Sequence, residues 1–207
     1  MVVKKNPTIS LVHNAPSISA SKNYIQTAAL SALTVTPFDI EGTSYSYIPP
    51  IVLLSLVSSL NSLMTVFLIF KGFDILQILY SYFVSQLVTL LFYVISAYVY
   101  SSIGCWLLGI EHEAKPFGVV ASAYSIFPLV VMLCSTNIDI LKYIAVFGAS
   151  MIMPYYINST YRRYYPMGDD RTKFLYGVYS FLVFYAIISF AVHLNLKILP
   201  AVLQKAN

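Results

Sequence analysis

The chain has 207 residues, of which 58% are hydrophobic and only 10% are charged, with a mean hydropathy of +0.75. Soluble globular domains carry about 25% charged residues, so this composition excludes an ordinary water-soluble domain. The net charge of +4 is modest, and no basic run indicates binding to nucleic acid. Composition and length together predict a membrane protein built as one helical bundle.

Residues 1–46 form a polar N-terminal segment that is rich in Ser and Thr and has no acidic residue before Asp39. The segment lacks an apolar core of about 7–15 residues followed by small residues, so we expect no secretory signal peptide. Residues 19–35 have weakly amphipathic spacing. This spacing leaves two alternatives, an interfacial helix or, as the favoured reading, an irregular tail.

Five apolar stretches follow, each long enough to cross a membrane as a helix, which takes about 18 apolar residues. They are predicted at 48–70, 75–110, 116–135, 140–161 and 174–196. The second stretch has no Asp, Glu, Lys, Arg or His and would be roughly 54 Å long, so it should cross the membrane and project beyond it. The sequence thus predicts an all-α, polytopic transmembrane bundle over 47–200, with a short tail at 201–207.

Small residues spaced four apart predict where transmembrane helices approach one another closely. Such positions occur on the second, third and fourth predicted spans. They are Ser101, Cys105, Gly109, Gly118, Ser122, Ala145 and Ala149. We interpret them as helix-packing positions rather than as a ligand site.

Two short acidic patterns and two cysteines could in principle bind a metal. His112 lies between Glu111 and Glu113, and Asp169 is followed by Asp170. Both patterns fall on short connectors, where charged side chains are usually solvated, and the two cysteines lie in apolar segments as expected for buried thiols. We therefore predict no metal site and no cofactor.

Known catalytic patterns are missing from the sequence. It contains no HExxH, P-loop or GxSxG motif, and His112 and His193 fall at opposite ends of the predicted bundle. The predicted spans also have no Asp, Glu, Lys or Arg at mid-depth, which disfavours an ion-coupled transporter. The sequence predicts a protein that is not an enzyme.

The connector between the fourth and fifth spans, RRYYPMGDDRTK, is the most charged part of the chain. Cations beside an anionic membrane surface are worth about 1 kcal/mol each, so the connector is predicted to contact lipid phosphates or a protein partner. Its cations are Arg162, Arg163, Arg171 and Lys173. Nearby tyrosines predict an aromatic belt at the interface: Tyr155, Tyr156, Tyr161, Tyr164 and Tyr165.

The distribution of basic residues predicts how the chain is oriented. Of the 12 Lys and Arg residues, eight fall on the side that holds the N-terminus and the connectors after the second and fourth spans. Cytoplasmic loops carry the excess of Lys and Arg. The sequence therefore predicts a multi-pass protein with its N-terminus inside and its C-terminus outside.

Several short motifs lie between the second and fifth predicted spans. The second span ends in Trp106-Leu107-Leu108-Gly109, and Lys115-Pro116-Phe117 opens the third. The third span contains Ala121-Ser122-Ala123-Tyr124 and Pro128, and the last connector reads Tyr164-Tyr165-Pro166-Met167, followed by Asp170-Arg171, Lys173 and Tyr176. With five spans and a polar N-terminal segment, this arrangement resembles the Yip1-domain membrane proteins over about a third of the chain.

The resemblance implies a non-enzymatic role in membrane organisation or vesicle traffic, with membrane lipids and a small GTPase of the Rab type as partners. Eukaryotic members often carry an Asp-Leu-x-Gly-Pro motif near the first span, which this chain lacks before Ile51. That departure leaves open a more distant, prokaryotic-type member of the family.

A second hypothesis from another class is a non-catalytic accessory subunit of a larger membrane complex, such as an energy-transducing one. Its basis is the combination of small-residue and aromatic faces without an internal charged pathway. This hypothesis predicts that 101–109 or 118–122 packs against other membrane subunits. A transporter or channel is a third, less favoured class.

Overall fold

The computed structural model describes residues 18–37, 46–69, 75–136, 138–165 and 168–206. These ranges are helical apart from short connections and contain no strand. The α-helices are α1 Ile18–Thr34, α2 Ile48–Ile69, α3 Ile75–Leu108, α4 Ala114–Ala123, α5 Phe127–Ser135, α6 Asp139–Tyr164, α7 Asp170–His193 and α8 Leu199–Ala206. A 3-10 turn joins α4 to α5 at Tyr124–Ile126, and a π turn joins α7 to α8 at Leu194–Ile198.

Five helical stretches are long and apolar enough to cross a membrane. They are α2, α3, the continuous pair α4–α5 over Ala114–Ser135, α6, and α7–α8 over Asp170–Gln204. The prediction of an all-α, polytopic bundle with five spans is confirmed. By length and composition, the chain is an integral multi-pass membrane protein.

The last helix differs most from its predicted bounds of 174–196. It begins at Asp170, passes through the π turn and continues in α8 to Ala206, so the predicted short tail is helical there. Leu199 and Leu203 of α8 are buried, and α8 packs against α2. Burial of these leucines explains why the helix continues past the predicted end of the span.

The N-terminal segment contains a helix that packs on the bundle. Of the two alternatives for residues 19–35, the irregular tail is wrong, because α1 runs from Ile18 to Thr34. Tyr24, Ala28 and Ala32 recur every four residues and are buried, so one face of α1 packs against α2, α4 and the 3-10 turn. Residues 1–17 and 38–45 of the predicted segment lie outside the described residues, as do the predicted turn at 71–74 and Pro166-Met167.

Tyrosines form much of the buried core between α3, α4, α6 and α7. Tyr100 stacks on Tyr179 with ring centroids 5.4 Å apart, and its hydroxyl donates to Ser180 Oγ at 2.9 Å. Tyr161 donates to the carbonyl of Pro116 at 3.1 Å. A buried tyrosine hydroxyl needs a partner, and these bonds satisfy two of them while tying neighbouring helices together.

Candidate lipid- and partner-contact surface

Most of the predicted helix-packing residues are buried inside this chain. Gly118 lies under Tyr24 of α1, whose hydroxyl donates to the Gly118 carbonyl at 2.8 Å. The Ser122 hydroxyl is 2.8 Å from the Tyr156 hydroxyl of α6. The remaining buried members are Ser101, Cys105, Ala145 and Ala149.

Gly109 is placed differently from the other six. α3 ends at Leu108, and Gly109 follows with a φ of +66°, in the left-handed region that favours glycine after a helix end. The glycine on the packing face is Gly104, where an added Cβ would lie 3.2 Å from Cε2 of Tyr176. The sequence pattern does not predict Gly104 as a packing residue, because Gly104 falls outside the four-residue spacing of Ser101 and Cys105.

These positions bear on the accessory-subunit hypothesis. That hypothesis predicted that 101–109 or 118–122 packs against other chains. Ser101, Cys105, Gly118 and Ser122 are instead fully buried by this chain's own helices. Ile103 and Trp106 of the same stretch are exposed, so the packing of 101–109 against another subunit stays a prediction.

A buried polar cluster joins α2, α3 and the π turn. Asn61 of α2 donates its side-chain amide to the Tyr93 hydroxyl of α3. Thr65 Oγ1 lies 3.3 Å from Asn195 Oδ1, and Thr89 Oγ1 lies 3.4 Å from the same oxygen. These bonds hold the end of the last span against the first two, as polar side chains within a bilayer are expected to do.

The end of α6 and the beginnings of α4 and α7 lie at one end of the bundle. The hydrogen bond from Tyr161 to Pro116 joins the end of α6 to the beginning of α4. Because α7 begins soon after α6 ends, at Asp170, its first turn lies at this end as well. We call this region, with its cations Arg162, Arg163, Arg171 and Lys173, the basic end.

The cations of the basic end differ in whether they form an ion pair. Arg162, Arg163 and Arg171 are exposed, whereas Lys173 pairs with Asp170 at 2.9 Å. The Asp169 carboxylate is occupied as the cap of α7, accepting from the Thr172 backbone N–H at 2.9 Å. The three arginines are therefore the cations best placed to contact an anionic ligand.

Two titratable groups of the connectors have shifted pKa values. The hydrogen bonds from Thr172 hold the pKa of Asp169 below its usual range. Burial lowers the pKa of His112, whose ring lies against Tyr98 with centroids 4.9 Å apart. Within the described ranges, no three His, Cys, Asp or Glu side chains come together as metal ligands would, so neither acidic pattern gains a further ligand there.

Comparisons of the chain with protein-family models, with curated proteins and with solved structures found no match. The Yip1-like resemblance therefore still depends on the motifs quoted from the sequence.

Proposed function

We propose that this chain is a non-enzymatic membrane organiser of the Yip1-like type, with a role in membrane organisation or vesicle traffic. It would act by binding anionic lipids and a protein partner, such as a small GTPase, at its basic end. The observation that carries the proposal is the exposure of Arg162, Arg163 and Arg171 together at that end. Arginine binds phosphate oxygens through two parallel hydrogen bonds, which suits both lipid head groups and acidic protein surfaces.

The internal packing also supports an independent bundle over an accessory subunit. The small-residue positions that could have received other subunits are occupied by α1, α6 and α7. The closest contacts between helices are thus formed within one chain. We further propose that the protein is stable with few obligatory subunits. We also propose that its basic end faces the cytoplasm.

Native mass analysis after gentle detergent extraction at endogenous expression tests the proposal. We expect a monomer or small homo-oligomer that carries anionic lipid or a small GTPase. A large stoichiometric assembly with other membrane subunits would overturn the proposal and would make the chain an accessory subunit.

A charge variant tests the role of the basic end. Replacing Arg162, Arg163 and Arg171 together by Gln should reduce the amount of retained anionic lipid by about fivefold per arginine, since each cation contributes about 1 kcal/mol. The matched control neutralises Glu111 and Glu113 at the same end and should lose no lipid. Equal lipid retention by the arginine variant and the wild type would contradict the proposed contact.

A further inference from the structure

A cavity of about 630 Å³ opens at the other end of the bundle from the basic end. Its walls come from the ends of α2 and α5, the beginning of α6, the last part of α7, and the π turn with the start of α8. Binding sites for small ligands commonly have volumes of about 300–1,000 Å³. The cavity is therefore large enough to hold part of a lipid.

The wall of the cavity changes from charged to apolar along the helices. Lys197 of the π turn and Lys142 of α6 line it near the helix ends, and Val146, Val192 and Tyr185 line it farther into the spans. From Tyr185 to Lys197 the wall extends roughly 18 Å at the helical rise per residue. That length is comparable with one leaflet of a hydrocarbon core about 30 Å thick.

The charges that line the cavity leave an excess of cations. Lys142 pairs with Asp139 at 2.9 Å, and Asp139 is the only carboxylate among the described lining residues. Lys197 is exposed and takes part in neither of the two ion pairs of the described ranges. With two lysines and one aspartate, the lining favours an anionic group near Lys197.

Exposed aromatic side chains lie at the edge of the cavity. Tyr143 and Tyr185 line it and are 77% and 46% exposed, so they form an open edge rather than a closed wall. Ser189 also lines the cavity and is partly exposed, and its hydroxyl can donate a hydrogen bond. A soluble anion would leave the apolar half of this cavity unfilled, whereas an acyl chain fills it.

We propose that this cavity binds an anionic phospholipid from the bilayer. The phosphate lies between Lys142 and Lys197, the Ser189 hydroxyl donates to an ester oxygen, and an acyl chain lies along Val146 and Val192. The site is separate from the basic end, since Lys142 and Arg162 lie near opposite ends of α6, about 30 Å apart at the helical rise per residue. The inference does not depend on the proposed function.

A tryptophan reporter tests the proposal in bilayers. Trp106 is the only tryptophan of the chain, so Trp106→Phe combined with Tyr185→Trp puts one fluorophore on the cavity wall. The full chain is reconstituted in vesicles of phosphatidylglycerol and phosphatidylcholine, with brominated acyl chains on one lipid at a time. We expect brominated phosphatidylglycerol to quench this reporter more strongly than brominated phosphatidylcholine does.

Two matched variants make the result specific to the site. Leu91→Trp, on the exposed face of α3, should show no preference between the two lipids. Adding Lys142→Gln and Lys197→Gln to the Tyr185→Trp reporter should lower its preference by about fivefold per lysine. If both brominated lipids quenched the Tyr185→Trp reporter equally while Lys142 and Lys197 were present, the proposal would be overturned. This outcome does not depend on whether the lysine variant folds.

Competition with soluble glycerol phosphate at millimolar concentration distinguishes a lipid from a free phosphate. We expect the quenching to be unchanged, because the acyl chain supplies contacts that the soluble head group lacks. Recovery of the fluorescence would show that the site takes free phosphate, and the lipid proposal would then be wrong.

Discussion

Gly104 shows how one missing side chain determines the approach of two helices. A Cβ at this position would lie 3.2 Å from Cε2 of Tyr176 on α7, closer than ordinary van der Waals contact. At Gly148, in contrast, a Cβ would have no heavy atom within 4 Å. The two glycines therefore allow the same substitution to be compared in tight and in open surroundings.

We expect Gly104→Val to destabilise the bundle by about 1–3 kcal/mol, because extra methyl groups in a packed core force neighbouring side chains to move. The measurement is thermal unfolding of the purified protein in mild detergent. Gly148→Val is the control and should change the midpoint far less. Equal midpoints for the two variants would show that α3 and α7 are not in close contact at Gly104.

Asn195 allows a similar test of the buried polar cluster. Its side chain lies within hydrogen-bonding distance of Thr65 and Thr89 and donates to the Ala191 carbonyl at 2.8 Å. The bonds to Thr65 and Thr89 join different helices, and such bonds average about 0.6 kcal/mol each, so Asn195→Ala should cost about 1 kcal/mol in unfolding free energy.

Asn158→Ala is the control for Asn195→Ala. The Asn158 side-chain oxygen is buried without a hydrogen-bond partner in the described part of the chain, so the loss should stay within about 0.5 kcal/mol. If Asn158→Ala were as destabilising as Asn195→Ala, the hydrogen bonds of the cluster would not explain the stability of this region.

At the scale of an element, the beginning of α7 depends on a side-chain cap. The Asp169 carboxylate accepts a hydrogen bond from the Thr172 backbone N–H, which would otherwise have no partner in the first helical turn. These bonds lower the pKa of Asp169 in the folded state. A lowered carboxyl pKa stabilises the fold above its unfolded value of about 3.9, and this stabilisation is lost as the pH falls through the folded pKa.

We expect Asp169→Ala to lower the melting temperature at pH 7, and the difference from wild type to shrink below about pH 4. Melting curves recorded between pH 7 and pH 3 check both parts of the prediction. Asp170→Ala, at the next position, removes only an exposed ion pair to Lys173 and should have a smaller effect. A difference for Asp169→Ala that is independent of pH would contradict the role of the carboxylate.

At the scale of the whole molecule, α1 covers a part of the bundle that the five spans alone would leave exposed. Tyr24 lies over Gly118, and Ala28 and Ala32 are fully buried. Alanines on this face let the backbone of α1 approach α2 and α4 closely. The small size of the residues at 28 and 32 is therefore part of how α1 is held.

Ala28→Leu should displace α1 and cost about 1–3 kcal/mol, since the larger side chain must fit at a fully buried position. Thermal unfolding together with protease sensitivity of residues 18–37 measures the effect. Thr27→Leu, at the neighbouring exposed position of the same helix, is the control and should leave both unchanged. A stable, protease-resistant Ala28→Leu protein would show that α1 does not pack tightly.

The sequence by itself determined the fold class and the number of spans. The free energy of moving an apolar helix into lipid depends on composition and length, which are local properties of each stretch. The connector cations Arg162, Arg163 and Arg171 could also be found from sequence, because charged residues cannot remain in the apolar part of a span at low cost.

Tertiary structure alone decided which residues meet. The sequence predicts Tyr156 and Tyr161 in an interfacial belt, but both are buried in the core. Tyrosine suits either place, and only the neighbouring helices provide Ser122 and Pro116 as partners. The docking of α1 and the cavity beside Lys197 likewise depend on contacts between residues far apart in the chain. No local pattern encodes such contacts, since they arise when helices from separate parts of the chain pack together.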